Sequence, residues 1–172
     1  MDTMERLKHP FSFGNAGEKA GRLMMDFLAE RDVVRAAEDF MKLFLIREKD
    51  LPEVMATFYR FADMTSTGGA LALSADLVNE ALYGYVFHAI LAEYLGNKNA
   101  DSGLMAAACG SWELAGACAD ALPEGSYVFS GPLKKPAFLE FTRSKIRWAN
   151  VYLGRIESAK SGGDHDRITA LE

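Results

Sequence analysis

Residues 81–92 read Ala-Leu-Tyr-Gly-Tyr-Val-Phe-His-Ala-Ile-Leu-Ala, the longest strongly apolar stretch in the chain. It sits inside a segment, Ala75 to Leu95, that reads as one helix. Ser74 stands at the N-cap position, and Asp76 and Glu80 suit the positive N-terminal end. Val78, Ala81, Tyr85, Ala89 and Ala92 line one face, while Tyr83, Phe87, Ile90, Leu91 and Tyr94 line another. A helix apolar on every side belongs at the centre of a bundle, covered by neighbouring helices or by a second subunit. The stretch is too short to span a bilayer and contains His88. Gly96-Asn97 marks its expected end.

Working outward, the flanking segments also carry helical spacing. On the C-terminal side, Asp101 opens a helix that Pro123 closes. Its interior is small, with alanines, Cys109, Gly110, Gly116 and Cys118, and Trp112 and Leu114 are its large side chains. Interior glycines cost roughly 1 kcal/mol each relative to alanine, so a close helix–helix approach is the expected compensation. Tyr127-Val128-Phe129 reads as a short extended run. A last helix is expected from Pro136 to Ser158, with Phe138, Phe141, Trp148, Ala149, Tyr152 and Ile156 on or beside its apolar stripe.

On the N-terminal side, Asp50-Leu51-Pro52-Glu53 has the form of a capping box, with proline in the first helical turn. The helix that follows runs through Val54, Met55, Phe58, Phe61 and Ala62, and Thr65 to Gly69 ends it. Glu18 to Glu48 is helical too: Leu23, Met24, Phe27 and Leu28, then Val33, Val34, Ala37, Met41, Phe44 and Leu45, recur at three- and four-residue steps. Arg31-Asp32 interrupts the stripe: either Asp32 caps a second helix, the preferred reading, or one long helix passes through. Met1 to Ala16 reads as an irregular arm anchored by Phe11 and Phe13.

These readings give an all-α, single-domain bundle of five or six helices over residues 1–160, with a buried central helix. Ser161 onward, including Asp164-His165-Asp166, reads as a flexible tail. At 172 residues and 49% hydrophobic content, the chain can bury a core without disulfide or metal. Cys109 and Cys118 lie on nearly opposite faces of one helix, where they cannot bridge. The first twenty residues lack a signal-peptide core, and no Asn-x-Ser/Thr occurs, so the expected setting is the cytoplasm.

Net charge is −5, which argues against generic nucleic-acid binding. It is uneven, since Leu133 to Lys160 carries +5 and the rest of the chain −10. Lys134, Lys135, Arg143, Arg147 and Arg155 make up a basic face suited to an acidic partner or to the chain's own acidic remainder.

Phosphate-loop, dinucleotide, nucleophile-elbow and zinc-protease patterns are absent. His9, His88 and His165 are the only histidines, and neither metal nor cofactor is expected. His88 stands out as an imidazole inside the apolar helix that needs a hydrogen-bond partner. It is either a satisfied core residue or part of a ligand pocket with Tyr85, Trp112 and Glu113. The first functional expectation is a non-catalytic protein acting by self-association or as a regulatory partner of another protein. The alternative is a small-ligand domain with its pocket near Tyr85, His88 and Trp112. An enzyme would have to assemble groups from distant positions, such as His88 and Glu113.

Overall fold

The computed structural model describes residues 14–66, 75–130 and 132–161. Among the described residues there are six α-helices and no strand: α1 (Gly14–Glu30), α2 (Val33–Phe44), α3 (Leu51–Ser66), α4 (Ala75–Asn99), α5 (Ser102–Asp120) and α6 (Lys135–Ser161). The arm anchored by Phe11 and Phe13, the Ser74 cap and the tail beyond Ser161 lie outside the described residues.

The architecture is an all-α bundle built on α4. Every residue from 81 to 93 is buried, and the cover comes from this chain: α4 packs against α5, α3 and α2. Two glycines let neighbours come close. A Cβ on Gly84 would lie 2.7 Å from Ala62 Cβ and 2.8 Å from the Phe58 carbonyl oxygen, so α3 and α4 nearly touch backbone to backbone there. A Cβ on Gly96 would lie 2.9 Å from the Met105 nitrogen. Gly96 therefore does not stop α4, which runs on to Asn99. Its end comes at Ala100, which takes a left-handed φ of 49°. The small residues of α5 play a lesser part than expected. Gly116 faces Thr142 Oγ1 at 3.0 Å, but Gly110 faces open space.

Aromatic rings fill two regions of the core. Phe40, Phe58 and Phe87 meet at centroid distances of 5.2–5.7 Å where α2, α3 and α4 converge. Phe27, Trp112 and Phe141 join α1, α5 and α6, with Phe27 stacked on Trp112 at 6.2 Å and Trp112 edge-on to Phe141 at 5.6 Å.

Side-chain caps set two of the helix starts. Asp32 and Asp101 accept hydrogen bonds from Arg35 N and Leu104 N, each at 3.1 Å, which satisfies donors that a helix start leaves free. The break between α1 and α2 thus falls at Arg31-Asp32, and Arg31 turns the corner with a φ of 59°. Asp50 acts differently from the capping-box reading. A 3-10 turn over Glu48–Asp50 runs straight into α3, and Asp50 Oδ2 reaches back to Arg47 N at 3.4 Å and Nε at 3.3 Å. Pro52 does occupy the first turn of α3.

Other local readings shift. The first helix begins at Gly14, ahead of Glu18. Leu45 closes α2 in a left-handed conformation and is 91% exposed, so the apolar stripe ends before it. Tyr127-Val128-Phe129 is not extended. Only Tyr127 bridges Lys134, and Phe129, at a φ of 57°, turns the chain through a 3-10 segment. No described helix is long and apolar enough to cross a membrane.

Candidate binding cleft

Of the residues marked out in the sequence, His88 has its partner inside the fold. Its Nδ1 and Ser111 Oγ share a hydrogen bond of 2.6 Å between α4 and α5. Tyr59 of α3 lies edge-on to both His88 (5.1 Å) and Tyr85 (5.8 Å) and is itself partly exposed. Burial lowers the His88 pKa from its ordinary 6.5 to about 4, because an apolar environment disfavours the imidazolium. His88 is therefore neutral at physiological pH. Glu113 is exposed on α5.

Trp112 turns to a different group. Its Nε1 donates to Glu93 Oε1 at 3.2 Å, and Lys145 Nζ donates to Glu93 Oε2 at 2.6 Å. Glu93 is 4% exposed, and the Lys145 side chain is well covered. Burial pushes the Glu93 carboxyl above its ordinary range, against the pull of Lys145 and the Trp112 hydrogen bond. The ammonium of Lys145 lies 4.9 Å from the Trp148 ring centre and 5.9 Å from that of Trp112, within cation–π range of both. Tyr85 and His88 thus face Tyr59, whereas Trp112 faces α1, α6 and Glu93; the four marked residues do not form one cluster. Glu93 escaped the sequence reading, although the signal was present. A carboxylate that ends an apolar run on a buried helix needs a partner as much as a histidine does.

The Glu93–Lys145 pair lines a cleft of about 350 Å³. Its walls are residues 31–34 at the α1–α2 elbow, Glu93, Tyr94 and Asn97 on α4, and Lys145 and Trp148 on α6. Trp148 stacks on Tyr152 at 5.3 Å and remains 41% exposed, so it leaves the buried stripe. Val34 and Val151 are also exposed. The Arg31 guanidinium sits 5.7 Å from the Phe141 ring centre and has no carboxylate partner among the described residues.

The basic face is thinner than the sequence implied. Lys135 is buried, with Nζ donating to the carbonyl oxygens of Asp120 (2.8 Å) and Leu122 (2.9 Å) and to Glu124 Oε1 (3.0 Å). It closes the C-terminal end of α5, where free carbonyls favour a cation, and so leaves the surface face. Arg143 and Arg147 are exposed and share Glu140, at 3.2 and 3.3 Å. Lys134 lies over the Tyr127 ring at 5.3 Å, and Arg155 is exposed.

Two further open clefts flank α2, one of about 460 Å³ running from Asp32 to Lys42 and Tyr94, and one of about 540 Å³ between α1 and α2. Among the described residues no three His, Cys, Asp or Glu side chains gather as metal ligands. No family model, curated protein or solved structure matches this chain.

Proposed function

We propose that this chain is a non-catalytic helical protein that acts by binding another protein chain, a second copy or a regulatory partner. The contact surface is the face where α6 meets the elbow. One observation carries the reading: Trp148 is 41% exposed at the cleft mouth, with exposed Val151 one turn along α6 and exposed Val34 across the cleft. Exposed aromatic and arginine side chains are what protein interfaces favour. Arg143, Arg147 and Arg155, exposed on the same helix, suit an acidic partner. The two free, buried thiols agree with a reducing cytoplasm. With a net charge of −5, a protein partner fits better than nucleic acid.

Sedimentation at micromolar concentration, paired with capture of partners on the immobilised chain, tests this. The expected result is an oligomer or a retained partner that Val151→Glu releases. A monomer that retains nothing, or an assembly indifferent to Val151→Glu, overturns it.

A second reading, a small-ligand domain, is favoured by a separate observation. The elbow cleft combines apolar walls with a buried ion pair, the mix that ligand pockets use.

A further inference from the structure

We infer that the elbow cleft receives a small organic monoanion, a carboxylate with an apolar or single-ring body, and that Arg31 anchors its charge. The inference rests on the small-ligand reading and names the chemistry of that ligand.

Four charged side chains line the cleft: Arg31, Asp32, Glu93 and Lys145. Asp32 is committed to capping α2 through Arg35 N. Glu93 spends one oxygen on Trp112 and the other on Lys145, and Lys145 is neutralised by that contact. Arg31 remains, the one lining cation without a carboxylate partner among the described residues. Its guanidinium lies 5.7 Å from the Phe141 ring centre, a contact that occupies none of its N–H donors with a carboxylate, and arginine's forked donors suit a carboxylate ligand.

Arg31 turns the elbow with a left-handed φ of 59°, as Leu45, Ala100 and Phe129 do at other turns, and in doing so it sets its side chain at the cleft.

The body of the ligand follows from the walls and the volume. Val33, Val34 and Trp148 offer apolar surface, and Val34 and Trp148 keep much of it wet in the free protein. About 350 Å³ is at the low end of the range of roughly 300–1,000 Å³ typical of ligand pockets, room for a short chain or one ring. Arg31 is the single lining cation without a carboxylate partner and the Asp32 carboxylate lies beside it, which suits at most one negative charge and disfavours phosphate dianions and nucleotides.

The test uses 3-phenylpropionate, its neutral amide and 3-phenylpropylammonium, titrated into the full chain and followed by tryptophan fluorescence and thermal shift. The acid is expected to saturate a fluorescence change and to raise the melting temperature, with the amide and the ammonium weaker by roughly tenfold or more. Arg31→Gln should weaken the acid to the level of the amide. Val34→Glu, at the exposed rim, should do the same without touching the elbow backbone. Arg60→Gln, an exposed cation on α3 outside the cleft, should leave binding unchanged. If acid and amide bind alike, the cleft is a ligand site and the anion assignment is wrong. If no probe binds, the assignment and the small-ligand reading fail together. Binding that survives Arg31→Gln, or that Arg60→Gln weakens equally, also overturns the proposal.

Discussion

His88 and Glu93, five positions apart on α4, respond to acid in opposite senses. Above pH 6.5 the His88 imidazole is neutral in both folded and unfolded chains. Between 6.5 and about 4 only the unfolded chain takes up the proton, so stability falls across that window and levels off below it. A shift of this size corresponds to a loss on the order of 3 kcal/mol, at about 1.4 kcal/mol per pKa unit. Urea unfolding from pH 7 down to 4 should show the decline, and His88→Asn should flatten it. Glu93 works the other way. Its folded carboxyl takes up a proton more readily than the ordinary 4.5, so acid relieves the cost of keeping a buried carboxylate. Its partner makes that cost visible. Lys145→Met should destabilise the chain by about 3 kcal/mol at pH 7, since a buried charge loses its counter-charge. The deficit should shrink as the pH is lowered and Glu93 takes up its proton, and replacing both residues by apolar ones should restore most of the loss.

At the scale of the helices, the glycines separate packing from propensity. Gly84→Ala would push a methyl group into Ala62 Cβ and the Phe58 carbonyl, forcing α3 off α4 at a cost of about 2 kcal/mol. Gly110→Ala meets nothing within 4 Å and should stabilise α5 by up to about 1 kcal/mol through helix propensity. Denaturant midpoints of the two variants should therefore move in opposite directions. Sequence pattern alone does not separate these glycines, because both lie inside helices of small and apolar residues. It did locate the helices themselves. Periodicity marked α3, α5 and α6, and the aspartates at 32 and 101 fixed two starts through side-chain caps. It failed where the backbone turns without a glycine, at Ala100 and Phe129, since a left-handed φ in such residues is set by what surrounds them.

For the molecule as a whole, the apolar run at 81–92 made the bundle legible, because a helix greasy on all sides has one place to go. That its cover comes entirely from the same chain was not legible, and it moves any contact surface out to α6 and the elbow. The cleft was hidden for a related reason. Its walls come from residues 31–34, from Glu93, Tyr94 and Asn97, and from Lys145 and Trp148, each ordinary in its own segment and notable only when folding brings them together. Lys135 is a further product of that convergence. Its amine, sealed between the end of α5 and the start of α6, holds three oxygens and is almost shut off from water. An acylating reagent should modify exposed Lys98 and Lys134 in the native protein well before Lys135, as mass spectrometry of the digested product would read. Label arriving at position 135 would then time the parting of these two helices, making one amine a built-in reporter of how often that corner of the bundle comes undone.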